Sequence, residues 1–223
     1  VSKVITFHSR VSHAQDFASD TSRGIKQFLD GFQVGHVNGE QPVSRRKDIL
    51  KGFASDTKRV VTNARCLTEG VDLPTVDMVV FSSPRRSRVD IIQAVGRAMR
   101  KSSDGRKTVG YVVVPILLPH HEVADLEAAV ADTDWEDLVD VLAALKEHDV
   151  RLDATLQQIQ TARGEGRPFN PRALLDYLDI VGPQVSLDVL QRGIASVVVD
   201  RLGATWDFRY GELKAFKERS EEH

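Results

Sequence analysis

The sequence predicts an α/β protein in which a mainly parallel β-sheet carries helices on both faces, followed by an α-helical C-terminal extension. Two observations predict this fold class. In residues 1–119, short apolar runs rich in β-branched and aromatic residues alternate with stretches of helical periodicity, as in parallel sheets whose strands are buried on both faces. Beyond residue 119 the strand-like runs stop and helical patterns continue, so we expect one domain at 1–119 and a helical part at 120–223.

Five strands are expected in the first part, each a short β-rich run that ends in polar or turn-forming residues. They span residues 4–7, 32–37, 59–62, 76–81 and 108–115. Helices are expected between them at residues 11–30, 42–54 and 87–100. Gly31 is a stop signal for the first helix, and Pro42 suits the first turn of the second. Right-handed crossovers are the default connections in such a sheet.

The second part is predicted to be helical. Its helices are expected at residues 120–131, 134–148, 172–180, 186–202 and 205–219. A stretch rich in Gly and Pro at 164–171 predicts a loop or hinge. In the last helix the apolar side chains fall on one stripe, which favours a place in a packed core over a ligand surface. The stripe consists of Trp206, Tyr210, Leu213 and Phe216.

Composition limits the class of protein. The chain has 223 residues, of which 41% are hydrophobic and 28% charged, as in ordinary globular proteins. No apolar run approaches the roughly 20 residues that cross a bilayer, so no membrane contact is expected. Cys66 is the single cysteine, which rules out an internal disulfide and suggests no cysteine metal site. These features favour a cytoplasmic protein without metal-binding residues of its own.

Charge is distributed unevenly along the chain. Residues 1–119 contain 19 Lys and Arg against 11 Asp and Glu, whereas residues 120–223 contain 11 against 21. The basic first part can attract a polyanion such as DNA or RNA. The acidic second part is typical of a solvated surface or of a protein contact.

The predicted helix at 87–100 has one distinctive polar face. At about 100° per residue, Gln93, Arg97 and Arg100 fall on one narrow side, with Gly96 beside them and apolar residues opposite. Two guanidiniums one turn apart suit a multiply charged phosphate, and Gly96 lets a partner approach closely. By geometry alone, a solvated basic face explains the same pattern at least as well.

The arrangement Gln93-x-x-Gly96-Arg97-x-x-Arg100 resembles motif VI of superfamily-two helicases, motors built from two RecA-like domains. The resemblance implies that Arg97 and Arg100 are arginine fingers, which reach ATP bound on the first motor domain and stabilise charge during phosphoryl transfer. It implies that Gln93 helps to position the γ-phosphate. Gln93, Arg97 and Arg100 are thus candidate catalytic residues, and Gly96 is a candidate nucleotide contact.

Residues 62–74 resemble motif V of the same family through a Glu-Gly-Val-Asp-x-Pro core at 69–74. The segment follows a predicted strand, and ligands of α/β sheets bind at the carboxyl ends of the strands. The alternative is a connection between strands in which Asp and Pro merely shape a turn. The contacts implied are Glu69, Gly70 and Asp72 for the nucleotide, with Asp72 on the ribose, and Thr62, Asn63 and Arg65 for a nucleic-acid backbone.

Residues 7–10 (Phe-His-Ser-Arg) follow the first strand and resemble motif IV. A strand that leads into a helix N-terminus leaves free amides and a positive dipole end, which favour an anion. Ser9 and Arg10 are therefore candidate contacts for a nucleic-acid backbone. The alternative is structural, with Ser9 or Ser12 as an N-cap and His8 as a partly exposed residue at the strand end.

The phosphate-binding loop Gly-x-x-x-x-Gly-Lys-Ser/Thr and an acidic Mg²⁺ box are absent from the sequence. In the family both belong to the first motor domain. The resemblance therefore implies a fragment that lacks its N-terminal RecA-like domain, where ATP and Mg²⁺ would mostly bind. We expect the fragment alone to hold no cofactor and to hydrolyse no ATP.

Three motif-like segments in the family's order predict the C-terminal motor half of an ATP-dependent helicase or translocase. Its expected partners are DNA or RNA and the N-terminal RecA-like domain. The alternative is a non-catalytic nucleic-acid-binding or interaction module of the same fold.

Residues 206–216 also resemble the start of a helicase-associated repeat. The patterns do not distinguish DNA from RNA, one polarity from the other, unwinding from translocation, or one biological context or oligomeric state from another.

Overall fold

A computed structural model divides the chain into two compact units, Val1–Pro115 and Ile116–His223. The structure describes residues 1–52, 55, 57–64, 76–82, 88–100, 105, 107, 109–117, 129, 133–181, 187–202 and 205–221. Each unit is described by itself. The sequence patterns place the division slightly later, after residue 119.

A five-stranded parallel sheet forms the centre of the first unit. Its strands are β1 (Lys3–His8), β2 (Gln33–Asn38), β3 (Arg59–Ala64), β4 (Met78–Phe81) and β5 (Tyr111–Val113), in the spatial order β2-β3-β1-β4-β5. The central strand β1 pairs with β3 and β4, in registers that place Val4 opposite Val60 on one side and Met78 on the other. The predicted α/β fold class is confirmed.

All six residues of β1 are buried. Phe7 stacks against Phe81 of the neighbouring strand with 5.8 Å between ring centroids, on the same face as Ile5 and Val79. The residues between them point to the other face, because side chains alternate along a strand. Burial of the whole strand therefore requires helices on both faces of the sheet.

Three helices of the first unit lie in the described residues. They are α1 (Val11–Ala18), α2 (Val43–Lys51) and α3 (Arg88–Met99). The Thr62 hydroxyl of β3 donates to the carbonyl oxygen of Ala14 in α1 at 2.9 Å. Gly35 of β2 faces α2, since a Cβ there would lie 3.1 Å from Cγ2 of Ile49 and 3.8 Å from Cγ2 of Val61. Gly35 pairs with Val61 of β3, and Val61 and Thr62 point to opposite faces of the sheet, so α1 and α2 cover opposite faces.

The first helix is shorter than predicted. A helix was expected over 11–30, but α1 ends at Ala18 and a separate 3-10 helix follows at Ile25–Phe28, where the Phe28 side chain is exposed. Local hydrogen bonds stop the helix, because the Ser19 hydroxyl bonds the carbonyl oxygen of Asp16 and the hydroxyl of Thr21. Such side-chain bonds compete with the helical ladder.

A chain of hydrogen bonds joins α1, β3 and β2 near the carboxyl ends of the strands. Because the Thr62 hydroxyl donates to Ala14, its oxygen accepts from Nδ1–H of His36 at 2.9 Å. Nε2 of His36 then accepts from the side-chain amide of Asn38 at 3.2 Å. The bonds fix His36 as a neutral imidazole with its proton on Nδ1.

Asn38 also orders the turn that leads from β2 to α2. Its Oδ1 accepts the backbone N–H groups of Glu40 and Gln41 at 3.0 and 3.1 Å. Two donors on this atom identify it as the oxygen, which leaves the nitrogen to face His36. Burial lowers the pKa of His36, in keeping with a neutral ring.

The second unit is helical, as expected. Its described elements are α4 (Glu136–Lys146), α5 (Val150–Gly164), a 3-10 helix (Pro171–Tyr177), α6 (Leu187–Leu202) and α7 (Thr205–Glu221). Trp135, Leu142, Leu156 and Val198 belong to one buried cluster. The carboxylate of Asp149 accepts the backbone N–H groups of Arg151 and Leu152 and so caps the N-terminus of α5.

The details of this unit differ from the predictions in two places. Helix α5 was not predicted, because polar residues such as Gln157 and Gln158 interrupt its apolar pattern. A helix expected at 172–180 is a 3-10 helix that ends at Tyr177. The helix predicted at 120–131 falls almost entirely outside the described residues, and the hinge at 164–171 stays a prediction. No helix within the described ranges is both long and apolar enough to span a bilayer.

Helices α5 and α7 cross at two glycines. A Cβ on Gly211 would collide with the carbonyl oxygen of Thr161 and lie 3.0 Å from the Cα of Gly164, and a Cβ on Gly164 would collide with the carbonyl oxygen of Phe208. The apolar stripe of α7 points elsewhere. Contrary to the prediction of a core position, its four side chains are exposed.

In Gly211→Ala the added methyl group forces two helix backbones apart, at a cost of about 1–3 kcal/mol. Alanine gains roughly 1 kcal/mol in helix propensity over glycine, so the free energy of unfolding of the second unit should fall by up to about 2 kcal/mol. Urea denaturation followed by circular dichroism measures it. Ser220→Ala on the exposed side of the same helix is the control and should change stability by less than about 0.5 kcal/mol. An unchanged midpoint for Gly211→Ala would contradict the close crossing.

His36 should make the first unit less stable in acid. Its folded pKa is lowered below the unfolded value, so the unfolded chain takes up the proton first as pH falls. The stability is fully present above the unfolded pKa of about 6.5 and is lost as pH falls through the folded pKa. The free energy of unfolding, measured by urea denaturation between pH 7.5 and 5, should fall less steeply with falling pH for His36→Asn than for wild type. Parallel curves for the two proteins would argue against a neutral His36.

Candidate nucleotide and nucleic-acid interface

Helix α3 has the amphipathic pattern that its sequence predicts. Ile91, Ala94, Val95 and Ala98 are buried against the first unit. On the other side Gln93 and Arg97 are half-buried and Arg100 is exposed. Ile92 and Met99, the other large apolar residues in this part of the helix, are half-buried. The helix therefore presents an amide and two guanidiniums away from its buried face.

The two arginines influence each other. Burial and, after it, the positive charge of Arg100 lower the pKa of Arg97. A guanidinium remains charged at physiological pH in spite of such a shift. Two like charges brought this close gain stability when an anion binds both of them.

Gln93 lies one turn before Arg97. Its Oε1 atom is buried and accepts no hydrogen bond from any residue that the structure describes. A buried amide oxygen that accepts no hydrogen bond lowers the stability of the fold by roughly 1–3 kcal/mol. The atom is therefore suited to contact with a donor that the chain's described residues do not supply.

Lys107 fixes the C-terminal end of α3. Its ammonium group donates to the carbonyl oxygens of Ala98 and, at 2.9 Å, Arg100, and also to that of Val76 at 2.6 Å. Cations at a helix C-terminus satisfy the last carbonyls and oppose the helix dipole. Val76 lies just before β4, so Lys107 ties the end of α3 to the strand beginnings.

The arginine pair therefore lies towards the amino edge of the sheet. Asp77, which follows Val76, accepts the backbone N–H groups of Ser2 and Lys3 at the start of β1 and identifies that edge. Since α3 contains 12 residues, it is about 18 Å long. Arg97 and Arg100 stand near its far end. They therefore lie away from the carboxyl edge, where ligands of α/β sheets are generally expected.

Ser9 and Arg10 lie at the opposite, carboxyl edge. They follow β1 directly, and Arg10 occupies the N-cap position of α1, where its carbonyl oxygen accepts the N–H of Ala14 at 3.1 Å. Its side chain makes no capping bond, which differs from the alternative of a serine N-cap. Ser9 is half-buried and Arg10 is exposed, so the guanidinium can reach a ligand at this edge.

Thr62 and Asn63 are not positioned as the sequence predicts. Both were predicted to contact a nucleic-acid backbone, yet both side chains are fully buried. The Thr62 hydroxyl is engaged by Ala14 and His36, so it is not available to a phosphate in this arrangement. His8, expected at the strand end with partial exposure, is also buried and packs against Phe17 with 5.0 Å between ring centroids.

The remaining candidates of motif V lie outside the described residues. Their roles stay predictions. They are Arg65, Glu69, Gly70 and Asp72. Gly96 is described and is half-buried in α3 beside the arginines.

Two positioning residues were missed by sequence reasoning. Lys107 had a usable signal, because a basic residue shortly after a helix is a common C-terminal partner. His36 had none, since only the tertiary pairing of β2 with β3 brings it beside Thr62.

Comparison with known proteins identifies the family to which the first unit is similar. A family model described as the helicase conserved C-terminal domain matches residues 1–102. The chain is similar to IRC3, a helicase-related protein of Saccharomyces cerevisiae, with 29% identity over 152 residues that cover 61% of this chain and 22% of the yeast protein. It is also similar to the ATP-dependent RNA helicase DBP8 of Candida albicans, with 29% identity over 87 residues that cover 39% of this chain and 20% of DBP8.

A solved structure extends the likeness to the second unit. The ATP-dependent Type ISP restriction-modification enzyme LlaBIII bound to DNA shares the fold over 92% of this chain, with 24% identity and a TM-score of 0.62. This chain spans only 14% of that enzyme, and about a fifth of the two yeast relatives. With its matched family model, its parallel sheet and its helicase relatives, the segment at residues 1–102 belongs to the C-terminal, RecA-like domains of superfamily-two helicases.

Proposed function

We propose that this chain is the C-terminal motor half of an ATP-dependent helicase or translocase that acts on DNA or RNA. In this role Arg97 and Arg100 contact ATP bound on an N-terminal RecA-like domain of the same protein. The polar face of α3 carries the proposal, because it presents two neighbouring guanidiniums and Gln93 opposite a buried apolar face.

The charges of that face suit a triphosphate. Arg97 and Arg100 repel each other, and a polyanion that binds both relieves the repulsion. Each guanidinium offers forked donors that match phosphate oxygens. Because negative charge is redistributed over the γ-phosphoryl oxygens during transfer, fixed cations there accelerate the reaction by a factor on the order of 10³–10⁵.

Other residues complete the proposed nucleotide contacts. The buried Oε1 of Gln93 is suited to accept from a water molecule beside the γ-phosphate and so to orient it. Gly96 leaves room for the approach of the other domain. By the family resemblance, Glu69 and Gly70 lie against the nucleotide and Asp72 accepts from the ribose. Mg²⁺ and most of the ATP are held by the N-terminal domain.

Nucleic acid is proposed to bind at the carboxyl edge of the sheet. The exposed Arg10 and the half-buried Ser9 stand there at the start of α1, and Arg65 follows β3 in sequence. Contacts of this kind hold the backbone and carry no sequence preference. Opening and closing of the cleft between the two motor domains then moves this grip along the strand.

Arg97→Ala in the protein that joins this chain to its N-terminal motor domain should lower kcat for ATP by a factor on the order of 10³ and leave ATP binding nearly unchanged. Steady-state ATPase assays and nucleotide titration measure the two effects. Arg97→Lys keeps the charge, loses the fork and should recover only part of the rate. Arg23→Ala removes an exposed arginine beyond the end of α1 and is the control.

Wild-type turnover in Arg97→Ala would reject the arginine-finger role and favour the non-catalytic binding module instead. The chain 1–223 alone should show no ATPase above background. Steady Mg²⁺-dependent hydrolysis by the pure chain would contradict the division of labour between two domains.

Arg10→Ala should weaken the binding of nucleic acid of any sequence. Since one phosphate contact is lost, the slope of log K against log[salt] should fall in magnitude by about 0.7–0.9. Fluorescence anisotropy at several salt concentrations measures the slope. Arg23→Ala carries the same charge change at the other end of α1 and should leave the slope unchanged. Equal slopes for wild type and Arg10→Ala would remove Arg10 from the interface.

A further inference from the structure

An apolar stripe lies uncovered on α7 in the second unit. Trp206, Tyr210, Leu213 and Phe216 are 71%, 45%, 62% and 63% exposed, although the pattern predicts burial. They recur at intervals of three or four residues and therefore lie on one face. The rings of Trp206 and Tyr210 stand 6.2 Å apart between centroids, with 35° between their planes.

The charges on this face differ from those of its surroundings. At about 100° per residue, the stripe shares its side of the helix with Arg209 and Lys217, while the carboxylates of α7 lie on its flanks and back. The part of the chain from residue 120 onward carries 21 acidic residues against 11 basic ones. The two cations beside the stripe favour an anionic ligand.

We propose that this face of α7 binds single-stranded nucleic acid, with bases stacked on Trp206, Tyr210 and Phe216 and phosphates near Arg209 and Lys217. Aromatic rings interleaved with cations are the usual means of binding single strands without sequence preference, at about 1–3 kcal/mol for each stacked base. Arg209 also contacts Glu212 at 2.6 Å, and its guanidinium carbon lies 5.9 Å from the centroid of the Phe208 ring. This exposed pair is weak and leaves the guanidinium able to change partners.

The size of the stripe favours a strand of nucleic acid over a protein partner. A large side chain has a surface of about 150–250 Å², so the exposed fractions of the four side chains amount to an apolar area of roughly 500 Å². A stable protein interface buries about 800 Å² on each partner. Stacking of three bases requires no more than the three aromatic rings. This proposal rests on the proposed function, because it assumes that the protein binds nucleic acid. It adds a second contact with that nucleic acid, in the helical unit instead of the RecA-like unit.

Tryptophan fluorescence gives a direct test. Trp206 is exposed, whereas Trp135 is 2% exposed in the core, so a change of emission on adding an oligothymidylate of about 20 nucleotides reports Trp206. We expect saturable quenching of the chain 1–223 at low salt. Trp206→Ala should weaken binding of a labelled oligonucleotide about ten-fold or more, as measured by anisotropy. Arg209→Gln should lower the magnitude of the salt slope by about 0.7.

Leu213→Ala is the matched control. It removes an apolar side chain from the middle of the same stripe but no ring and no charge, so it should leave the affinity almost unchanged. A loss as large as that of Trp206→Ala would overturn the proposal and identify an ordinary apolar docking surface. A blue shift of Trp206 with rising protein concentration and no response to oligonucleotide would do the same.

The test separates this inference from the proposed function. Binding of the oligonucleotide, seen by anisotropy, without quenching of Trp206 overturns the α7 site and leaves the motor proposal intact. Arg10→Ala should weaken overall affinity while the quenching at saturation stays the same, which supports two separate contacts. Absence of any binding contradicts both proposals.

Discussion

The first unit depends on one constraint, which is that its central parallel strand is covered on both faces. All six residues of β1 are buried between β3 and β4. To cover both faces, the chain must place α1 and α2 on opposite sides and return to the amino edge after each strand. Every strand therefore ends at the same edge, where Ser9, Arg10 and the Asn38 turn follow their strands.

Much of this architecture could be predicted from the sequence, because a strand buried on both faces must be apolar along its length. The end of α1 could not, since the bonds of Ser19 to its neighbours override a pattern that continues to look helical. Helix α5 was missed for the converse reason. Its stability comes from a few buried side chains and the Asp149 cap, while most of its remaining residues are polar.

The face of α3 could be predicted from the sequence, whereas the burial of the residues at the end of β3 could not. The spacing of Gln93, Arg97 and Arg100 determines a helix face, and that face exists. Polar residues at a strand end suggest ligand contacts, which is why Thr62 and Asn63 were predicted to make them. In the folded unit Thr62 is buried beneath α1 and beside β2, and Asn63 is buried as well. The stripe of α7 shows the same limit. Periodicity identifies which residues share a face but not whether another element covers that face.

Lys107 has a mechanical consequence for the arginine pair. The Lys107 ammonium group joins the last turn of α3 to the backbone just before β4. The helix end that holds Arg97 and Arg100 is therefore attached to the sheet by hydrogen bonds. A displacement of Arg97 or Arg100 along the sheet would therefore have to break hydrogen bonds of Lys107 or move the sheet together with the helix.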